Sequence, residues 1–200
     1  MDIIHKYFPQ LTKQQFEHFV QLKELYFDWN QKINVISRKD MDNFYERHVL
    51  HSLSIANIFS FSASDIILDI GTGGGFPGIP LAILFSDTEF HLIDSIGKKI
   101  TVVDAVAKSL KLGNIITQCA RAENYKLDYT YIVTRAVAPS EKLIDWAGRR
   151  LKNSNGIIAL KGGDLKDELD AIDINYKTYD LSSYFEESFF DTKKIVHLYY

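Results

Sequence analysis

The sequence predicts an α/β fold with a mostly parallel, Rossmann-like sheet, an antiparallel hairpin at one edge and a helical amino-terminal extension. From residue 66 onward, strand-like and helix-like segments alternate, which is typical of βαβ units. A glycine-rich turn separates the first strand from the helix that follows it. The last two strand-like segments are joined by a short link with no helical pattern, which favours antiparallel pairing between them.

The amino-terminal part of the chain is predicted to be helical. Thr12 and Gln15 match a capping box, and apolar residues then recur at three- and four-residue spacing as far as Ile33. Asp40 is a candidate cap for a second long helix over residues 41–59. We therefore expect residues 1–60 to form a helical extension and residues 61–200 a Rossmann-like domain, packed together as one compact unit.

Seven strands and four helices are predicted after the extension. The strand candidates are residues 66–70, 89–93, 115–119, 131–134, 156–161, 175–180 and 194–199. The helical patterns cover residues 80–85, 98–112, 141–151 and 164–169.

Composition excludes several classes of protein. The 200 residues carry a formal net charge of -3, so any contact with nucleic acid must come from a local basic patch. Cys119 is the only cysteine, which excludes a disulfide framework and a cysteine zinc site, and its strand predicts burial. No apolar run is long enough to cross a bilayer, and the first residues lack a secretory signal. We expect a soluble, cytoplasmic, monomeric protein without a metal.

The glycine-rich turn predicts a nucleotide-like ligand. Asp69 is followed by Gly71, Gly73 and Gly75, so that backbone N–H groups can approach a ligand at the end of a strand. The overlapping run that begins at Gly73 also matches the dinucleotide pattern G-x-G-x-x-G. Asp94 ends the second strand at about the spacing of a carboxylate that binds ribose hydroxyls, although it could simply cap the next helix.

Both NAD and S-adenosylmethionine carry an adenosine ribose, and three features favour S-adenosylmethionine. Gly71 comes almost directly after the acidic end of the strand, and Ala122 and Glu123 follow the third strand, where residues facing an adenine would lie. The two final strands suit the antiparallel hairpin of a methyltransferase. Too little chain remains for the catalytic domain of a dehydrogenase.

Several motifs in order resemble one family. DIGTGGGFPGIPLAI, LIDSIGKK, RAENY, TRAVAP and ALKG, preceded by NVISRKDMDNFYERHVLHSLSI, are similar to the ribosomal RNA small subunit methyltransferase G family, also called glucose-inhibited division protein B. The resemblance runs from about residue 30 to the carboxyl terminus. It implies a class I methyltransferase fold and transfer of a methyl group from S-adenosylmethionine to N7 of one guanine, guanine 527 in the family, of 16S rRNA in the small ribosomal subunit.

The resemblance also implies cofactor contacts. They fall on Gly71, Phe76, Ala122, Glu123 and Arg135. To these we add Gly73, Gly75 and Asp94 from the turn and the ribose spacing. His51 stands where the family usually has an aspartate.

Methylation at guanine N7 needs no general base, because N7 carries an in-plane lone pair and no proton. We expect Arg135 and Lys161, at adjacent strand ends, to be the catalytic residues by positioning cofactor and RNA. The alternatives are a structural ion pair for Arg135 and a solvated loop position for Lys161. His48 and His51 lie three residues apart on a predicted helix, where packing or RNA contact is favoured over a metal site.

Three other functions stay open from the sequence. The first is a methyltransferase that acts on a small molecule or another RNA, which the near-neutral charge allows. The second is an NAD-dependent oxidoreductase, because the glycine patterns overlap. The third is a non-enzymatic RNA-binding or ribosome-assembly protein.

Overall fold

The chain forms a seven-stranded sheet, seen in a computed structural model that describes residues 1–135 and 137–200, without the side chain of Arg38. The strands are β1 (Ile66–Ile70), β2 (Glu89–Asp94), β3 (Ile115–Cys119), β4 (Tyr131–Arg135), β5 (Ile157–Gly162), β6 (Asn175–Asp180) and β7 (Lys193–Tyr199). Their order is β3-β2-β1-β4-β5-β7-β6. Each strand agrees with its predicted bounds to within one residue at either end.

The pairing directions confirm the predicted mostly parallel sheet. Strands β1 to β5 pair in parallel, whereas β7 is antiparallel to both β5 and β6. The chain therefore ends in a hairpin whose second strand lies between β5 and the edge strand β6. A dinucleotide-binding sheet of the usual order 3-2-1-4-5-6 has no such inserted antiparallel strand.

Helices connect most of the strands. They are α5 (Gly78–Leu84), α6 (Gly97–Ser109), α7 (Ser140–Ala147), which continues as a 3₁₀ turn over Gly148–Asn153, and α8 (Lys166–Asp170). Strands β3 and β4 are joined with only a short 3₁₀ turn, Ala122–Asn124. This turn comes directly after the carboxyl end of β3 and brings its first residues to the same edge of the sheet as the end of β1.

The amino-terminal region is helical, as predicted, but its second half is not one long helix. It contains α1 (Asp2–Tyr7), α2 (Lys13–Asn30), α3 (Arg38–Asp42), a π-helical turn (Tyr45–Leu50), α4 (His51–Leu53) and a 3₁₀ turn (Ser54–Asn57). The capping box at the start of α2 is confirmed, with the Thr12 hydroxyl and the Gln15 side chain each accepting the other's backbone N–H. The predicted cap at Asp40 is wrong, because the Ser37 side chain caps α3 by accepting from the Asp40 N–H.

The core has two parts, one on each face of the sheet. Helices α2, α5 and α6 pack on the face that Ile67 presents, and the same apolar cluster includes the buried ring of Phe19 from α2. Helices α7 and α8 pack on the opposite face, which Leu68 presents. The amino-terminal helices thus share a core with the sheet, while the boundary near residue 60 stays a prediction.

Cys119 corrects one sequence-based expectation. The residue is exposed, not buried, because β3 is an edge strand of the sheet: three of its five residues are exposed and the other two are partly exposed. Separately, among the helices within the described residues, none combines the length and the apolar character that crossing a bilayer demands.

Candidate active site

The turn after β1 is held closed by a buried carboxylate. Asp69, in β1, accepts a hydrogen bond from the Thr72 hydroxyl (2.6 Å) and another from the Gly78 N–H (2.9 Å) through the same oxygen, Oδ2. One oxygen therefore ties the beginning of the turn to the start of α5. Burial raises the pKa of Asp69 to about 7.

Three glycines of the turn adopt a backbone conformation that disfavours other residues. Gly71, Gly73 and Gly75 have φ angles of +66°, +59° and +96°. A Cβ atom at Gly71 would lie 2.6 Å from the Val137 Cγ2 atom. At Gly73 the nearest atom to such a Cβ is a backbone oxygen at 3.9 Å, so this glycine faces open space.

That open space belongs to a cavity of about 470 Å³ at the carboxyl ends of β1, β2 and β4. Its volume is typical of small-molecule sites. Of the residues predicted from sequence to form the site, seven line it: Gly71, Gly73, Phe76, Asp94, Ala122, Glu123 and Arg135. Two of the predicted residues do not line it. Gly75 lies beneath the turn, where its Cβ would meet Ile79 at 2.6 Å, and Lys161 lies elsewhere.

Asp94 both closes a loop and faces the cavity. Its Oδ2 atom accepts from the Gly73 N–H (3.0 Å), and its Oδ1 atom accepts from the Ile96 N–H (2.9 Å). The Lys99 Nζ atom lies 3.7 Å from Oδ2. The carboxylate thus fixes the glycine turn to the loop after β2. The alternative that Asp94 caps the next helix is wrong, because α6 begins after Ile96 and has no side-chain cap, and the ribose role stays a prediction.

Arg135 ends β4 and is partly buried. Its Nη1 atom donates to the backbone oxygen of Arg47 (3.2 Å) and its Nη2 atom to Nδ1 of His48 (3.1 Å). The guanidinium lies over the Phe76 ring, 5.1 Å from the centroid. Burial lowers the pKa of Arg135 to about 10, which still leaves it charged at neutral pH. Within the described residues it forms no ion pair, unlike the structural alternative raised from the sequence.

His48 supports Arg135 as a neutral acceptor. The pKa of His48 is lowered to about 3. Burial is the larger cause, and the charge of Arg135 is the second. Because Nδ1 accepts from Arg135, the ring hydrogen lies on Nε2, which is buried and has no hydrogen-bond partner among residues 1–135 and 137–200. His48 belongs to the π-helical turn, and such turns are frequent at functional sites.

His51 lies one turn further along and packs against two aromatic rings. The ring centroids of Phe189 and Phe190 lie 5.4 and 6.1 Å from that of His51. Burial holds the pKa of His51 well below its usual value. Both histidines are therefore buried among aromatic rings, in agreement with the packing interpretation.

Lys161 lies beside the main cavity, in a second, shallower one of about 350 Å³ that shares Val137 with it. Its Nζ atom contacts Glu168 Oε1 (2.7 Å) and the backbone oxygen of Ala138 (3.0 Å). The side chain is only 9% exposed, so the interpretation of Lys161 as a solvated loop residue is wrong. A catalytic role for Lys161 stays a prediction.

Sequence reasoning missed some residues that line the cavity. Ile96 is an apolar side chain that is 49% exposed, and Lys99 and Trp146 reach the cavity from α6 and α7. An isoleucine two positions after the acidic end of a strand, in a loop, is a signal that could have identified Ile96. Nothing local marks Trp146.

Comparisons with known proteins agree on a single family. The family model for rRNA small subunit methyltransferase G matches residues 13–196. The chain is 50% identical to Ribosomal RNA small subunit methyltransferase G of Cytophaga hutchinsonii, covering 99% of each chain. It is 52% identical to the protein of the same name from Flavobacterium psychrophilum, covering 99% of this chain and 97% of that one.

Solved structures share the fold at low sequence identity. A putative rRNA-methylase from Clostridium thermocellum matches with a TM-score of 0.54 and 14% identity, covering 77% of this chain and 97% of that one. A mutant of MtNAS in complex with S-adenosylmethionine matches with a TM-score of 0.60 and 13% identity, covering 92% and 75%. The fold is that of class I S-adenosylmethionine-dependent methyltransferases, and the NAD-dependent alternative is set aside: the chain belongs to the rRNA small subunit methyltransferase G family.

Proposed function

We propose that this enzyme transfers a methyl group from S-adenosylmethionine to N7 of one guanine in 16S rRNA of the small ribosomal subunit, in the cytoplasm. The observation that carries the proposal is the cavity over the glycine turn, in a chain about half identical to relatives named for methylation of small-subunit rRNA. Which guanine is methylated follows from the family resemblance alone, which implies guanine 527.

The residues of the cavity fit S-adenosylmethionine. Gly73 leaves room above the turn, and the Asp94 carboxylate faces the cavity where ribose hydroxyls could donate to it. Ile96 and Ala122 offer apolar surface for an adenine ring. We therefore assign cofactor contacts to Gly71, Gly73, Phe76, Asp94, Ala122, Glu123 and Arg135. Gly75 acts indirectly, by shaping the turn from below.

Little acid–base chemistry is required of the protein. When bound, S-adenosylmethionine supplies an electrophilic methyl group carried on a positively charged sulfur. Guanine N7 presents a lone pair in the plane of the ring and has no proton to lose. The protein's part is then to align the two reactants and to exclude water, which can supply a large share of the rate enhancement.

Arg135 is the residue best placed to do this alignment. Two of its nitrogens are committed to Arg47 and His48, and its plane is fixed on Phe76, so the guanidinium has one orientation at the wall of the cavity. A fixed donor fork can hold a carboxylate, a phosphate or a guanine edge. Lys161 contributes at most from the neighbouring cavity, because its ammonium already contacts Glu168.

The proposal is tested by methyl transfer. The purified enzyme is incubated with labelled S-adenosylmethionine and with either naked 16S rRNA or small subunits from a strain that lacks this gene. We expect label at a single guanine, at which the RNA becomes sensitive to cleavage specific for 7-methylguanine. An unmodified RNA would support the non-enzymatic alternative, and label on another atom or another RNA would support a different methyltransferase.

A further inference from the structure

Three cations lie near the carboxyl ends of β4 and β5 and the start of β7, and one of them, Arg135, lines the main cavity. We call Arg47, Arg135 and Lys193 the cation arc. Arg135 donates to the backbone oxygen of Arg47 (3.2 Å), and both Arg47 and Lys193 lie against the Phe189 ring, at 5.8 and 4.9 Å from its centroid. Three segments distant in sequence therefore bring like charges together at one edge of the sheet.

The arc is poorly neutralised by the protein itself. Arg47 pairs with Asp40 (2.7 Å), but Arg135 and Lys193 form no ion pair with any carboxylate in the described parts of the chain. The chain has no shortage of acidic residues, with 26 Asp and Glu against 23 Lys and Arg. Lys194, the next residue along β7, does pair with a carboxylate, that of Asp180.

Two further observations concern the groups around the arc. The Nε atom of Arg47 is buried and has no hydrogen-bond partner within the described residues. His51 is packed beside the arc, and after burial itself the charges of Arg135 and Lys193 are the largest causes of its lowered pKa. Uncompensated like charges and an unsatisfied donor usually destabilise a fold, and they persist where function requires them.

We propose that Arg47 and Lys193, held on the Phe189 ring, bind a backbone phosphate of the substrate RNA next to the nucleotide that enters the cavity. This inference rests on the proposed function and adds a binding site for the RNA backbone to it. Arg47 presents a fork suited to phosphate oxygens, and Lys193 a compact charge. Lys193 also lies over Gly162, where a Cβ would meet its Nζ atom at 3.3 Å, so its ammonium lies beside a residue that lines the second cavity.

The two neighbouring lysines of β7 provide a matched test. Lys193→Gln removes a charge from the arc, whereas Lys194→Gln removes the same charge one residue away, where it pairs with Asp180 on β6. Affinity for a 16S rRNA transcript is measured across a range of KCl concentrations. We expect Lys193→Gln to weaken binding about tenfold and to lower the salt slope by about 0.7–1, the loss of one phosphate contact.

The control and a second variant complete the design. Lys194→Gln is expected to bind the transcript like the wild type, and both variants to bind S-adenosylhomocysteine within about twofold of the wild-type affinity. In a double-mutant cycle, Arg47→Gln and Lys193→Gln should be less than additive, because they contact one phosphate. Equal effects of the two lysine variants, or full additivity, would overturn the arc as a phosphate site. Failure of the wild type to methylate the transcript or small subunits would instead overturn the proposed function.

Discussion

The two halves of the active-site edge are built by different means. In the cofactor half, at the ends of β1 and β2, carboxylates accept hydrogen bonds from backbone N–H groups of the turns: Asp69 from Gly78, and Asp94 from Gly73 and Ile96. In the acceptor half, at the ends of β4, β5 and β7, the charged groups come from segments far apart in sequence and are partly unpaired. The first half is preorganised by backbone geometry. The second half presents cations to a polyanion, the RNA substrate.

This difference in construction matches a difference in the reactant that each half binds. A small cofactor can be held by a rigid turn with few charges, since most of its contacts are to backbone and apolar surface. An RNA substrate is bound largely through phosphate charge, which favours free cations. Substitutions in the cofactor half should therefore change S-adenosylhomocysteine affinity with little effect on RNA binding, and those of Arg47 and Lys193 the reverse. Arg135 lines the cofactor cavity and also belongs to the cation arc, so its substitution should affect both.

The largest expected effect comes from Gly71→Ala. Its φ of +66° strains any other residue by about 1–3 kcal/mol, and the new Cβ would also clash with Val137. We expect S-adenosylhomocysteine affinity, measured by calorimetry, to fall by about 100-fold while RNA affinity is kept. The control Gly163→Ala, at φ +82° with no atom within 4 Å of its Cβ, should cost stability alone. Similar loss of cofactor binding in both variants would contradict the role given to the turn.

Asp94→Asn should have the next largest effect. The Asn side chain has one acceptor oxygen, whereas the two oxygens of the Asp94 carboxylate each accept from a backbone N–H group. A hydrogen bond to a charged group contributes about 1.5–3 kcal/mol. We expect roughly 30-fold weaker S-adenosylhomocysteine binding, with the salt dependence of RNA binding unchanged. Unaltered cofactor affinity would show that Asp94 is a loop cap only.

His48 predicts a pH dependence of stability on the acceptor side. Its pKa is about 3 in the folded chain, below the unfolded value of 6.5, so the unfolded state binds a proton that the folded state does not. Stability from this residue is present above pH 6.5 and is lost as pH falls towards 3. Asp69, with its raised pKa, acts in the opposite sense but is common to wild type and variant.

The variant His48→Phe isolates that contribution. Between pH 6 and 4, its free energy of unfolding should fall less steeply than that of the wild type, by up to about 1.4 kcal/mol per pH unit. Denaturant titrations at several pH values measure the slopes. Identical slopes in the two proteins would mean that His48 is charged in the folded state, contrary to its role as acceptor for Arg135.

The smallest effect is expected for Ile96→Ala. Its half-exposed side chain loses about 1 kcal/mol of apolar contact with a bound adenine, so cofactor affinity should weaken about fivefold. RNA affinity should not change. Equal losses of cofactor affinity and RNA affinity would place Ile96 in the RNA-binding surface and contradict the division between the two halves.

The same division explains how much could be predicted from the sequence. The glycine turn, Asp94 and the pair Ala122 and Glu123 were located correctly in the cavity, because special backbone geometry needs particular residue types at short spacing. Arg135 came from the family resemblance.

What was missed depends on contacts between distant segments. A single π-helical turn shifts the apolar spacing of a helix by about one residue only, so the break at Tyr45–Leu50 gave no signal. Ser37 and Asp40 are both good cap residues, and only the structure decides between them. The burial of Lys161 depends on its contact with Glu168. The exposure of Cys119 follows from the edge position of β3, and the cation arc depends on the Phe189 ring.

A crystal structure of the enzyme with S-adenosylhomocysteine tests the division most directly. The account predicts the ribose hydroxyls on Asp94, the adenine against Ile96 and Ala122, and no ligand contact with Arg47 or Lys193. A ligand in the cavity beside Lys161, or one whose charged groups engage Arg47 and Lys193, would contradict it.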